Sequence, residues 1–414
     1  MKVLVYEPFP DGHRYEYIAN ILPALAELGV NVVVASTAAG FQSEEFDLHL
    51  RPHAALFTQH VCTDQVSIAS NHKLAAGSLR EFLRALDATG PDHAYFPMAD
   101  GVTQLAGLKS LVGRLYNRNI QVEALHFRGG YGYRSDESLR ERINDKAYRF
   151  FTYRSPWTRY WHVDPWQLEA LCADAPAFRE RTLLLPDPVA PTLHIDRLAA
   201  RRELGIGEAG TLIGCAGPMT RRKGTHLLID AFAAALNEAP ATTRLLLIGS
   251  FTPEIQQRVR EQDEAVRARM IVIDRRLSDR EMELAVPAMD VVCTPYPRSV
   301  GSSGIVLRAI AAGRPLVAAD TYWMGRIVPA LRAGRTCDVG NVDAIRAMLL
   351  ASIGDAAGFR QSEAARQYLS FQSIPNFRAT WLSLLRQRLG LTEHPDRVSW
   401  DAVASVFDAP RGDR

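Results

Sequence analysis

No apolar run in this chain reaches the roughly 18 residues that a membrane-spanning helix needs. The opening MKVLVYEPFP has too short an apolar stretch for a signal peptide and no small-residue cleavage site, so it reads as a first strand. Cysteine is scarce. Cys62, Cys172, Cys215, Cys293 and Cys337 are odd in number, far apart and free of any C-x-x-C spacing. Neither a disulfide framework nor a thiolate zinc site is indicated. No two aspartates stand two apart, so the D-x-D pair that holds a metal-bound nucleotide diphosphate is missing. H-E-x-x-H, G-x-S-x-G and the Walker loop are missing too. A large charge of one sign is also lacking: the formal net is +2, which gives nucleic acid no bulk attraction. These absences predict a cytoplasmic protein with no resident metal or cofactor and no nucleic-acid partner.

What is present fits a globular enzyme. Hydrophobic content of 47% and charged content of 23% over 414 residues suffice for two or three domains with full cores. Short apolar runs alternate with helical periodicity. Strand Lys2–Tyr6, helix Tyr15–Leu28 closed by Gly29, and strand Val30–Ala35 make a first βαβ unit. The loop with Gly12, His13 and Arg14 follows its first strand, where open α/β sheets place ligands. Ala54–Phe57 is weakly strand-like. Helix Leu79–Ala88, strand His93–Pro97, helix Thr103–Leu115 and strand Gln121–Phe127 follow. Ser135 with Asp136 and Glu137 is an N-cap for a helix to about Tyr148. From Tyr148 to Trp166 eight aromatics are interleaved with Arg149, Arg154 and Arg159. This stretch either packs the first domain or lies on a membrane surface. Its prolines break a continuous amphipathic helix and favour packing.

Leu183–Pro191, with three prolines, reads as a linker. Beyond it the alternation restarts: strand Thr211–Ala216, helix Thr225–Leu236, strand Arg244–Ile248, helix Pro253–Arg269, strand Ile271–Asp274, helix Asp279–Ala288 and strand Val291–Pro295. Helices from about Val342 to Gly390 and a polar tail Leu391–Arg414 close the chain. The predicted domains are 1–187, 188–375 and a terminal helix and tail, 376–414, that returns to the first. Two parallel-sheet halves joined by a linker predict a cleft between them.

Two stretches carry chemistry. Gly214-Cys-Ala-Gly-Pro-Met-Thr-Arg-Arg-Lys-Gly places Arg221, Arg222 and Lys223 after a strand and before a helix, which suits a diphosphate; a solvated basic turn is the alternative. Tyr296–Asp320 runs from a strand through Gly301-Ser302-Ser303-Gly304 into a helix. That loop is either an anion cradle or a plain βα turn. A literal G-x-G-x-x-G at Gly205 precedes a strand rather than following one, so the dinucleotide logic fails there.

Together, G-x-x-x-x-RKG-x-x-x-L-I-x-A-F, LSDREMELAVPAMDVVCTPYP and LRAIAAGRPLVA resemble the C-terminal half of the family 4 retaining glycosyltransferases. The resemblance implies a GT-B fold, two Rossmann-like domains facing each other across a cleft, and sugar transfer from a nucleotide diphosphate sugar. It implies Lys223 as a donor-diphosphate ligand and Gly12 as the first-loop glycine. It further implies His126 near the donor sugar and Gly301, Ser302, Ser303 and Gly304 as amides facing the donor. The sequence also departs from that family. Both carboxylates of E-x7-E are replaced, by Val300 and Arg308, and Pro218 stands where an arginine is usual, with Arg221 or Arg222 as substitutes. Arg308 is thus a candidate for a phosphate or acidic group. Asp100 is a candidate acceptor contact or a turn aspartate, and His13 and Arg14 face the acceptor side. The expected partners are a nucleotide-sugar donor and a carbohydrate, lipid or peptide acceptor, with peripheral membrane contact left open. The competing readings are a binding or scaffold protein that lost its carboxylates, and a sugar-nucleotide epimerase.

Overall fold

The computed structural model describes residues 1–10, 14–63, 71–127, 133, 139–173, 175–190 and 195–408. It divides into two compact units: Met1–Pro186 with Ile374–Arg397, and Asp187–Ser373 with Val398–Arg414. The expected terminal segment 376–414 is therefore split near Arg397.

The first unit is built on a parallel sheet of seven strands: β1 (Lys2–Tyr6), β2 (Asn31–Ser36), β3 (Phe57–Val61), β4 (His93–Phe96), β5 (Gln121–His126), β6 (Arg159–His162) and β7 (Thr182–Leu184). Their order is β3-β2-β1-β4-β5-β6-β7. Every strand is parallel to its neighbours, with Leu4 opposite Val33 and Ala94, for example. Both faces are covered, so β1 is apolar without interruption from Val3 to Tyr6. Val3 and Val5 join a core with Tyr15, Ile18 and Leu22 of the helix Arg14–Glu27. Leu4 and Tyr6 point the other way, to Phe82 and Leu86 of the helix Asn71–Thr89. The helix Ile374–Trp381 closes the first face: Phe377 and Trp381 pack on Tyr17 and Tyr95.

Several expected elements differ. The weak strand Ala54–Phe57 is a 3-10 turn, Arg51–Leu56, leading into β3. The helix expected from Ser135 to Tyr148 runs on into the arginine-aromatic stretch, as far as Arg154. Ser135, Asp136 and Glu137 lie outside the described residues. Trp157, Tyr160 and Trp161 of that stretch are fully buried, so its part beyond the helix packs the core. β6 and β7 were not foreseen; β7 takes the first residues assigned to the proline linker.

The second unit holds six parallel strands: β8 (Leu212–Ala216), β9 (Arg244–Gly249), β10 (Met270–Asp274), β11 (Val291–Thr294), β12 (Leu316–Ala319) and β13 (Gly334–Cys337). Their order is β10-β9-β8-β11-β12-β13. Buried Arg201 ties this unit below the sheet, donating to Asp290 at 2.6 Å and to the carbonyls of Ala288, Glu208 and Gly210. The long helix expected over Pro253–Arg269 is broken into Pro253–Arg260 and Glu264–Arg267. A helix Tyr322–Ala330 and β13 fill a stretch left unassigned. The polar tail is not structureless. Its helix Asp401–Asp408 lays Phe407 and the preceding Trp400 against Tyr368 and Phe371.

Candidate functional site

In each sheet the chain winds outward in both directions from a central pair, β1 with β4 and β8 with β11. Connections from two such strands leave in opposite senses, which opens a crevice beyond their carboxyl ends. In the second unit the two stretches singled out by sequence both lie there. β8 ends at Ala216, and β11 ends at Thr294.

After β8 the chain turns at Gly217, whose φ of +92° favours glycine. A Cβ on Gly217 would stand 3.1 Å from the Lys223 Nζ, so the missing side chain leaves room for the ammonium. Arg221–Lys223 form one 3-10 turn, held by the Thr220 hydroxyl accepting from the Lys223 N–H at 3.2 Å. Gly224 follows at φ +64°, where a Cβ would fall 1.8 Å from the Pro295 carbonyl oxygen. Only glycine lets the loop after β8 lie against the loop after β11. The helix Thr225–Ala235 begins there.

Lys223 is only partly exposed, and its Nζ sits 5.6 Å from the centre of the Tyr296 ring. Among the described residues no carboxylate pairs with it. Burial, with a smaller push from neighbouring Arg222, takes its ammonium down from the ordinary 10.5 to about 8. The three expected cations differ in placement. Arg221 is exposed and bonds Glu254 at 2.6 Å, while exposed Arg222 has no described ion pair.

The loop after β11 passes Tyr296 and turns at Gly301, φ +83°. The Ser302 hydroxyl donates to buried Asp187, whose own N–H donates to Gln372 Oε1 at 2.5 Å. Ser303 stands at the N-cap of the helix Gly304–Ala311, but its side chain makes no cap bond. It lies beside the Tyr296 phenol without a well-formed hydrogen bond. The first-turn amides of Gly304, Ile305 and Val306 therefore keep no intrahelical acceptor, and the helix dipole adds positive potential. Tyr296 links this helix start to Lys223. Arg308, one turn on, is half-buried and has no described ion pair.

The first unit carries the other candidates. Gly12 and His13 lie outside the described residues. Arg14 opens its helix and donates to Glu7 Oε1 at 2.7 Å; Glu7 is fully buried at the end of β1 and also accepts from the Phe9 N–H. His126 ends β5 at 1% exposure. Its Nε2 is 2.8 Å from Thr103 Oγ1, which also accepts from Trp157 Nε1 at 2.9 Å. The threonine's single proton has two acceptors, His126 Nε2 and the Ala99 carbonyl at 3.1 Å. Its choice sets which ring nitrogen of His126 carries the hydrogen. His126 Nδ1 has no described partner. Burial lowers the imidazole's pKa, with Asp100 partly offsetting, so the ring is neutral at neutral pH. Asp100 Oδ2 accepts from the Phe127 N–H at 3.1 Å, pinning the turn to the end of β5.

Sequence reasoning missed Gly217, Tyr296, Asp187, Glu7 and Thr103. The positions just past β1, β8 and β11 were the available signal, since each of Glu7, Gly217 and Tyr296 lies within two residues of a central strand's end. Among the described residues no group of three His, Cys, Asp or Glu side chains is placed to hold a metal ion. No described helix is long and apolar enough to cross a membrane.

Two Rossmann-like units of this kind make the GT-B fold, and solved structures agree. Sucrose-phosphate synthase from Thermosynechococcus elongatus superposes with a TM-score of 0.71 at 17% identity, covering 94% of this chain and 99% of that one. Anabaena HepE in complex with UDP gives 0.66 at 15% identity, covering 94% and 100%. A UDP-N-acetylglucosamine 2-epimerase homologue from Listeria monocytogenes gives 0.60 at 12% identity, covering 96% and 99%. Residues 210–355 match the family Glycosyl transferases group 1, a span that contains Lys223, Gly301–Gly304 and Arg308. The match supports a glycosyltransferase. No curated protein matches the chain by sequence.

Proposed function

We propose that the protein transfers a sugar from a nucleotide diphosphate sugar to a carbohydrate, lipid or peptide acceptor, with retention at the anomeric carbon and without a metal ion. The observation that carries this reading is Lys223, a partly buried ammonium with no described carboxylate partner, at the crevice of the second sheet. Breaking the sugar–phosphate bond leaves growing negative charge on the diphosphate. Lys223 and the free amides of Gly304, Ile305 and Val306 are preorganised donors for that charge. HepE, whose structure holds UDP, offers a fold precedent for a uridine nucleotide. On this reading Arg222 and Arg308 are further anion contacts.

Calorimetric titration with UDP, GDP, ADP and their sugars tests the proposal. One of these nucleotides binds, and Lys223→Ala weakens it by about 30- to 150-fold, the loss of a charge-assisted bond worth roughly 2–3 kcal/mol. Transfer survives EDTA, and the product keeps the donor's anomeric configuration by NMR. Equal affinity of wild type and Lys223→Ala for every nucleotide sinks the assignment. A second reading has its own support: the fold neighbours include a UDP-N-acetylglucosamine 2-epimerase homologue. An epimerase interconverts sugar nucleotides with no acceptor added, which one NMR time course distinguishes.

A further inference from the structure

Eleven large apolar side chains stand exposed among the described residues, and six of them belong to two neighbouring stretches of the first unit. The helices Val102–Ser110 and Leu139–Arg154 touch backbone to side: a Cβ on Gly107 would lie 1.8 Å from the Phe151 carbonyl oxygen. Gln104 Nε2 donates to Thr152 Oγ1 at 2.9 Å across the same contact. At the end of the first helix Leu108, Leu111 and Val112 point outward, Val112 at 91% exposure. On the second, Leu139, Ile143 and Phe150 recur at spacings of four and seven, one stripe of the helix, with Leu139 at 75%. Scattered exposed apolar residues need no explanation, but a concentration on two packed elements does.

The charge around them is mostly positive. Lys109, Arg114 and Arg118 are exposed, and residues 102–119 contain no acid. Over 139–154 five basic residues stand against two acidic ones, and Asp145 of these is neutralised by Arg149 at 2.7 Å. Arg142, Lys146 and Arg154 are exposed, with the Arg154 guanidinium 3.9 Å from the centre of the Phe150 ring. A chain whose formal net is only +2 thus gathers its excess positive charge beside its exposed apolar stripe.

We propose that this face docks on an anionic lipid surface, with the leucines, Val112, Ile143 and Phe150 entering the headgroup boundary and the lysines and arginines meeting lipid phosphates. Three features favour lipid over protein. Exposed lysines are depleted in the core of protein interfaces, whereas apolar side chains ringed by Lys and Arg define interfacial helices. A second copy would bring like charges together across a two-fold axis. The apolar residues stand exposed on two helices and on the turn that follows the first. The surface does not involve Lys223 or the crevice of the second sheet.

Co-sedimentation with phosphatidylcholine vesicles, with and without phosphatidylglycerol, tests this on the full chain. Wild type partitions onto the anionic vesicles, stays in solution with the neutral ones, and is released by high salt. A variant with Arg142→Gln, Lys146→Gln and Arg154→Gln partitions about a hundredfold less, at about fivefold per basic residue. Val112→Ser with Ile143→Ser lowers partitioning without changing charge. Both variants keep the wild-type melting temperature and nucleotide affinity, since the altered side chains are exposed. Wild type remaining soluble with anionic vesicles overturns the proposal, and so do variants that bind as wild type does. A dimer in light scattering that both variants abolish, with no vesicle binding, assigns the face to a second copy and overturns it equally.

Discussion

Raising the pH should release the nucleotide while stabilising the empty protein, two opposite trends from one lysine. Lys223 titrates at about 8, against an ordinary 10.5, because burial disfavours the charged form. A bound diphosphate favours that form and restores the proton, so binding above pH 8 takes up hydrogen ions. Affinity should fall about twofold from pH 7 to 8 and then steepen toward about tenfold per pH unit, since only the protonated lysine binds. At pH 8, calorimetry in buffers of differing ionisation heat should count about half a proton taken up per nucleotide. Lys223→Arg, which stays charged, removes the slope. The stability of the free protein runs the other way. Below pH 8 folded and unfolded chains both hold the proton, and the burial penalty is felt in full. Between about 8 and 10.5 only the unfolded chain holds it, so the unfolding free energy rises with pH, by up to about 3 kcal/mol before solvent screening trims it. Lys223→Met should therefore be more stable than wild type at pH 7 while binding nucleotide poorly. An affinity flat from pH 7 to 9.5, or a Lys223→Met protein that melts lower than wild type, refutes the account.

Three other residues give independent tests. Gly224→Ala forces a side chain into the left-handed region and onto the Pro295 carbonyl, so urea unfolding should show a loss of roughly 2–4 kcal/mol. Thr103→Val strands Trp157 Nε1 and His126 Nε2 in the core; the expected cost is about 1–3 kcal/mol, and Thr103→Ser should recover most of it. Burial raises the Asp164 carboxyl from 3.8 to about 6 despite hydrogen bonds from Tyr133, Trp166 and Gln167. The folded state thus keeps that proton to higher pH than the unfolded chain, and unfolding free energy falls as pH rises through that window. Asp164→Asn should flatten this part of the stability profile between pH 4 and 6, and an unchanged profile removes the residue from the argument.

The second unit was largely legible because its elements declare themselves locally. Leu212–Ala216, Arg244–Gly249 and Val291–Thr294 are buried on both faces, so each is a continuous apolar run, bounded by glycine or proline. β13 was not, for the opposite reason: Gly334-Arg-Thr-Cys is a half-exposed edge strand whose place is fixed by pairing with β12 rather than by its own pattern. β6 is hidden differently. Arg159-Tyr-Trp-His carries an arginine and three rings, and nothing in its sequence reveals that Trp161 donates to the buried Glu123 at 2.6 Å or that Tyr160 packs on Phe178. The tail looked polar because its helix needs only Trp400, Val403 and Phe407 to anchor it, too few to outweigh the charges between.

The candidate site divides along the same line. Lys223 and Gly301–Gly304 stand next to strand ends and helix starts, so composition and order locate them. Which cation matters is decided only in three dimensions. Arg221 and Lys223 are two residues apart and chemically alike, yet one sits in solvent on Glu254 and the other leans on Tyr296 with its ammonium half-buried and uncompensated. Gly217 explains the difference, since a side chain there would crowd the Lys223 ammonium out of its place. A charge that folding buries without a partner costs stability, and under the proposed function the donor's diphosphate would offset that cost at Lys223.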